Sequence, residues 1–317
     1  MDEKRFNSFA PGGTLIVRRW TAVLTAVAVA AGLSGCAATA VDSPAASIPA
    51  GRSAFGHVHG IGIDPTSGGA FAATHAGVFR LPPLDAEAVP ASEVEGPIAG
   101  RAQDTMGFTM ASGLMFGSGH PDPTEEPVLN PPNLGLITSS DEAATWTSVS
   151  LRGQTDFHDL AVAADGPEFR IYGYDEMAGV VRVSADSGKT WTTGAQIVAR
   201  DLSVDPSKPD TVYATTARGL AVSTDGARTF ALVPNAPALY LVDSLNDKSG
   251  GLIGVDVDGT IWVNQDGTTW TSTGTINGVT EALTYASAPS ARLVVATEEG
   301  ILASTDQGAT WRDVVVN

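Results

Sequence analysis

Beyond residue 55 the chain is written in short runs of alternating apolar and polar residues, separated by Gly, Pro and Asp. One unit shows the plan. Asp201-Leu-Ser-Val-Asp205 alternates, Pro206–Asp210 breaks it, Thr211–Thr215 and Gly219–Ser223 alternate again, and Phe230–Val233 follows a second break. A period of two over four or five residues, bounded by turn formers, predicts four consecutive strands joined by tight connections.

Five such units carry related segments between their third and fourth strands: Ser139-Ser140-Asp141…Thr145-Trp146, Ser184-Ala185-Asp186-Ser187-Gly188-Lys189-Thr190-Trp191, Ser223-Thr224-Asp225…Thr229-Phe230, Asn264-Gln265-Asp266-Gly267-Thr268-Thr269-Trp270 and Ser304-Thr305-Asp306-Gln307-Gly308-Ala309-Thr310-Trp311. Their aspartates stand 45, 39, 41 and 40 residues apart. A repeat near 40 residues leaves room for one four-stranded blade, so the pattern predicts an all-β propeller. Each segment makes sense as a hairpin turn. The carboxylate accepts backbone N–H bonds, Gly supplies a positive φ, and Thr-Trp starts the next strand with a ring large enough to reach a neighbouring blade. Inner strands are expected near His59, Met106, His158, Arg200, Leu239 and Glu281, giving six blades over residues 55–317. The first blade lacks an aspartate turn and carries the proline-rich Leu81–Val94 instead. No terminal strand is seen that would complete a blade at the other end, so the pattern does not explain how the ring closes.

The turns resemble the Asp-box, or bacterial neuraminidase, repeat, and residues 55–317 resemble the sialidase-like propellers that carry it. The resemblance implies that Asp141, Asp186, Asp225, Asp266 and Asp306 are structural and lie away from any active site. The Asp141 copy has Ala143 and Ala144 where Gly is usual, the Asp225 copy ends in Phe230, and the Asp266 copy is one residue shorter.

Ahead of the repeats, Lys4, Arg5, Arg18 and Arg19 precede an apolar run, Trp20–Leu33, ending in Leu33-Ser34-Gly35-Cys36. This predicts a secretory signal over residues 1–35, too short to be a convincing membrane span. Leu-Ser-Gly-Cys resembles the bacterial lipobox, which implies lipidation of Cys36, the chain's one cysteine, and an extracytoplasmic, membrane-anchored protein. Residues 36–54, rich in Ala, Ser and Pro, read as a flexible tether. The formal net charge is −17, and loss of residues 1–35 removes four basic and two acidic side chains to leave −19. So acidic a surface disfavours nucleic acid and attracts cations loosely. The chain is expected to be a monomer.

All five histidines fall in the first half of the chain. His59 and His158 open inner strands, and His57 precedes His59 by two, so a strand would point both the same way. His75 and His120 end second strands. In an up-and-down blade these positions share one face, opposite the aspartate turns. A metal site at the channel mouth is one reading, with His57, His59 and His158 as ligands and Met106, Asp104, Asp156, His75 and His120 in support. Imidazole suits zinc or copper, and a thioether would favour copper. A wet channel mouth with each histidine hydrogen-bonded to a neighbour is the other reading.

The segments His57-Val-His59-Gly60-Ile61-Gly62-Ile63-Asp64-Pro65, Met106-Gly107-Phe108, Ser118-Gly119-His120-Pro121-Asp122-Pro123 and Asp156-Phe157-His158 resemble bacterial lipoprotein propellers commonly labelled exo-α-sialidase or glycosyl hydrolase. That likeness implies a glycosidase. Sialidases clamp a carboxylate with three arginines, and here the first inner strand has none; Arg101, Arg200 and Arg218 are the only ones expected on the histidine face. His75 stands where an acid/base Asp would be, Tyr240 opens the fifth inner strand, and Tyr285 falls at the far end of the sixth. Other glycosidase chemistry needs two carboxylates across a cleft, and Asp201 and Glu281 are candidates. Three roles are therefore open: a metal- or ligand-binding module, a hydrolase of surface or environmental glycans, and an assembly factor that docks a protein partner.

Overall fold

The computed structural model describes residues 56–125, 128–245 and 250–317. Residues 1–35, the tether to residue 54 and Cys36 lie outside the described residues. The described part is a six-bladed β-propeller with almost no helix beyond two short 3-10 turns, Ala91–Glu93 and Ile98–Gly100. Blades two to five are four-stranded antiparallel sheets in chain order. Their inner strands are Asp104–Ala111, Phe157–Asp165, Asp201–Val204 and Leu239–Ser244, and those of blades one and six are Val58–Ile63 and Thr280–Ala286. Each inner strand touches the next, and the sixth touches the first, so the ring is closed. The alternating runs form these strands because one side of every strand faces a neighbouring blade. Apolar residues collect in six clusters, one at each seam between blades. Phe71, Phe116, Phe157 and Tyr172 are almost fully buried there. Each buried large side chain contributes roughly 1.5–3 kcal/mol relative to exposure.

The closure device was not legible in the sequence. Blade one has only three strands. The segment that would form its fourth strand leaves the sheet, and Val89–Pro90 pairs in parallel with the outermost strand of blade six, Arg312–Val316. Val89 lies opposite Val315 and Pro90 opposite Val316. The Arg312 guanidinium donates to the carbonyls of Asp85 and Ala86 at 2.7 and 2.6 Å. An early segment thus completes the outer edge of the last blade.

A second set of ties runs along the channel wall. Asp159 of blade three accepts the N–H of Leu202 in blade four. Asp201 accepts from Val242 in blade five at 2.6 Å, Asp243 from Tyr285 in blade six at 2.8 Å, and Glu281 from Val58 in blade one at 3.0 Å. A carboxylate of one inner strand therefore holds the backbone of the next across four consecutive seams. Ser118 does the same between blades two and three, accepting from Phe157 N at 2.8 Å. Burial and mutual repulsion push Asp159 up to about 7, and Asp201 well above the usual carboxylate range; burial alone leads for Asp243, raised to about 6.

The aspartate turns lie where strand order places them, at the ends of third strands and so opposite the starts of inner strands. Asp186 accepts the Ser184 and Thr190 hydroxyls at 2.8 and 2.6 Å and the Thr190 N–H at 2.9 Å. Asp141, Asp225 and Asp306 accept the equivalent three bonds. These bonds hold the carboxyls of Asp186, Asp225 and Asp306 down at about 2, the threonine hydroxyl bond being the largest cause. Gly188 and Gly308 take φ of +84° and +89°, and Ala143 and Ala227 adopt the same left-handed region at 67° and 60° in their turns. In the shorter copy Asp266 accepts from Thr268 N and Thr269 N, and Asn264 replaces the serine. Trp191 and Trp311 cross to the preceding blade, donating to Ser150 Oγ at 2.9 Å and to Thr275 O at 3.1 Å.

Two outcomes follow from these ties. Asp159 and Asp243 have folded values above the unfolded value of 3.8, so their contribution is full below about pH 4 and is lost as pH rises through 6–7. The turn aspartates have lowered values, so theirs is present above about pH 4 and lost as pH falls toward 2. Thermal melts should peak between these limits and decline from pH 5 to pH 8, and Asp243→Asn should flatten that decline; a wild-type melt that rises to pH 8 contradicts this. Arg312→Ala removes two charge-assisted bonds at the closure and should cost about 1 kcal/mol in urea unfolding, whereas an unchanged midpoint would show that the strap does not tie the ring.

Candidate metal centre

Five of the six inner strands begin with an irregularity, and these irregularities build the channel mouth. In blade one the pairing register jumps between Val58 and Gly60, which leaves His59 unpaired. The same jump skips Met106-Gly107 in blade two, His158 in blade three, Tyr240 in blade five and Glu281 in blade six. Blade four is regular, and Arg200 stands just ahead of its strand. A bulge leaves one residue out of the ladder and re-aims its side chain. Each blade thus offers one chemically distinctive residue at the same height. Gly60 and Gly107 allow the close approach: a Cβ on either would lie 2.9 Å from Phe108 O or 2.6 Å from Phe157 O. His59, His158, Arg200 and Glu281 line one cavity of about 60 Å³.

All five histidines take part in contacts on this face, in two groups. The rings of His57 and His59 lie 4.9 Å apart, those of His59 and His75 4.2 Å apart, and those of His57 and His75 6.1 Å apart. His59 Nε2, His75 Nδ1 and Asp104 Oδ1 converge within 4.8 Å of one another and could hold a metal ion. The separations are 3.2 Å between the two nitrogens, 2.9 Å from His75 to Asp104 and 3.7 Å from His59 to Asp104. His120 and His158 gather around Asp156 instead, their Nε2 atoms 3.4 and 3.1 Å from its Oδ2.

This donor set differs from the expected one of His57, His59 and His158. His57 turns its Nδ1 to Glu281 at 2.8 Å, and His158 lies between Asp156 and Glu176, its Nδ1 2.6 Å from the latter. His75 and Asp104, expected only in support, stand closest to His59 because the seam between blades one and two brings the end of one strand against the start of the next. Met106 occupies the bulge of blade two at the level of His59 and His158. Of the carboxylates considered for glycoside hydrolysis, Asp201 holds Val242 and Glu281 holds both Val58 and His57. Arg200 stacks on Tyr240, its guanidinium carbon 5.0 Å from the ring centre, and donates to the Tyr240 hydroxyl at 2.9 Å and to Glu281 O at 3.2 Å. Arg101 pairs with Glu125 at 3.3 Å. Glu176 was missed by the sequence reading; its place opposite Asp156 at the end of a second strand, matching His75 and His120, was the available signal.

The electrostatics separate the two groups. Burial pushes His59 down to about 3, with His75, His57, His158 and Arg200 adding repulsion, so this imidazole stays neutral and keeps a lone pair for a cation. The hydrogen bond to Asp156 raises His158, reinforced by the charges of Asp156, Glu176 and Asp104.

No family model and no curated protein matches this chain. Solved structures do. A chain from a nidogen/laminin complex is similar at 14% identity and TM-score 0.58, with 78% of this chain and 92% of that one covered. A gluconolactonase from Xanthomonas campestris is similar at 13% identity and TM-score 0.55, covering 78% and 85%. A GH74 enzyme from Niastella koreensis aligns at 20% identity and TM-score 0.49 over 79% of this chain, which spans only 36% of that enzyme. At these identities the likeness is one of fold.

Glu281 ties blade six to blade one from within the site. Glu281→Ala should lower unfolding stability by about 1–3 kcal/mol, and Glu281→Gln, which retains an acceptor for Val58 N, should recover most of it. Equal losses in the two variants would contradict this role.

Proposed function

We propose that this chain is a lipid-anchored, extracytoplasmic binding module whose histidine face holds a divalent transition metal, zinc or copper. In this reading its anchor is a lipid on Cys36, and the likeness of its aspartate turns to the Asp-box repeat supports a place in the lipoprotein branch of the sialidase-like propellers. The observation that carries the reading is the geometry of His59 Nε2, His75 Nδ1 and Asp104 Oδ1. Ligands bound to zinc at about 2.0–2.1 Å in a tetrahedron stand roughly 3.3–3.4 Å apart. The three separations of 3.2, 2.9 and 3.7 Å bracket that value. A proton that His75 Nδ1 donates to Asp104 Oδ1 is not available to His59 Nε2, and a cation between the three atoms would engage all of them. Two imidazoles and a carboxylate suit zinc or copper, and a fourth position remains for water, Met106 or a ligand. The side-chain exposures of 9% for His59 and 54% for His75 give a half-buried centre open to the mouth.

A catalytic reading finds no supporting pair, because Asp201 and Glu281 are engaged in holding blades together. Isothermal titration of the metal-stripped full chain tests the proposal. Zinc should bind, and a His59→Ala/His75→Ala variant should lose at least a hundredfold in affinity at that centre. Unchanged binding in the double variant would remove these residues from the site.

A further inference from the structure

We propose that His120, Asp156 and His158 form a second divalent transition-metal site, on the seam between blades two and three. It stands on residues other than the first donor set and fails separately from it.

The repeat itself supplies the first argument. Thr105 pairs opposite Gly119 and Phe157 opposite Asp175, each just before its blade's bulge, so Asp104 and Asp156, one residue earlier, occupy equivalent places at the starts of their blades. His75 and His120 are equivalent at the ends of second strands. The contact His75–Asp104 across one seam therefore recurs as His120–Asp156 across the next, at 2.9 and 3.4 Å. The third donor comes from a bulge in both cases: His59 in the first group, and His158 in the second.

Hydrogen positions supply the second argument. His120 Nδ1 lies 2.8 Å from the carbonyl of Pro132, which can only accept, so the proton of a neutral His120 sits on Nδ1. Its Nε2 then points a lone pair at Asp156 Oδ2, 3.4 Å away. His158 turns Nδ1 to Glu176 and Nε2 to the same Oδ2 at 3.1 Å. A second proton on His158 settles that one contact and leaves His120 facing an acceptor. A metal settles both. Holding the far nitrogen of each ligating imidazole on a carbonyl or carboxylate is how metal-binding histidines are oriented, and Pro132 O and Glu176 stand in those places.

Asp156 itself is incompletely partnered. Its side chain is 6% exposed, and its Oδ1 is buried with no hydrogen-bond partner. Burying a carboxylate with one oxygen unpaired is costly, and a cation bound at Oδ2 would offset part of that cost by neutralising the charge. The Oδ2 separations of 3.1 and 3.4 Å already match the edge of a zinc tetrahedron, roughly 3.3–3.4 Å. The group is more open than the first, since its three donors do not all fall within 4.8 Å. Closing it requires only that the two half-exposed imidazoles draw together.

The test is metal stoichiometry. The full chain, stripped with chelator, is equilibrated with zinc alone and measured by elemental analysis. Two zinc ions per chain are expected in the wild type, and one in His120→Ala, whose side chain lies at the surface. Asp156→Asn should also bind one, and His59→Ala/His75→Ala should retain the other. One zinc in the wild type, with no loss in His120→Ala or Asp156→Asn, overturns the second site. A count that falls in those two variants but not in His59→Ala/His75→Ala would leave this site standing and remove the first.

Discussion

Closing a ring of blades requires that every inner strand be fixed to the next, including the last to the first. In this protein side chains reach across five of the six seams to backbone N–H groups: Asp159, Asp201, Asp243 and Glu281 in sequence, with Ser118 in the blade before. Apolar clusters at the seams supply most of the driving force, but they are non-directional. The directional ties set the height of each inner strand relative to its neighbour. Everything at the channel mouth depends on that height.

With the strands so aligned, one bulge residue per blade is delivered to a common level. Chemistry then varies around the ring while geometry does not. Blades one to three contribute imidazoles and carboxylates; blades four to six contribute Arg200, Tyr240 and Glu281. The last three are mutually engaged and tie into the closure seam, which leaves the histidine side as the part that could hold a metal ion. Glu281 belongs to both regions, holding Val58 N with one oxygen and His57 with the other. It links ring closure to the shape of the histidine face, and it turns His57 away from the His59–His75–Asp104 group.

The 40-residue recurrence of Asp141, Asp186, Asp225, Asp266 and Asp306 carried the blade number and the strand order, because a turn that needs a carboxylate and a left-handed residue leaves a local trace. The convergence of the histidines was also legible, since strand starts and second-strand ends share a face in any up-and-down blade. Two features left no such trace. Val89–Pro90 is a two-residue parallel strand in a proline-rich segment, with no alternation to mark it, so the closure strap could be found only in three dimensions. The division of the histidines into His59–His75–Asp104 and His120–Asp156–His158 depends on which side of a seam each side chain crosses. The spacing of His57 and His59 predicts a shared direction, but the bulge at His59 breaks the two-residue period, and Glu281, more than 200 residues away in the chain, turns His57 aside.

X-ray absorption spectroscopy of the zinc-loaded full chain would show whether imidazoles hold the ion, because it reads the atoms around the metal and not the consequences of binding. A site built on His59, His75 and Asp104 gives a shell of nitrogen and oxygen neighbours at about 2.0–2.1 Å, with the outer-shell scattering of imidazole rings. A shell of oxygen alone, or one without imidazole scattering, would contradict it.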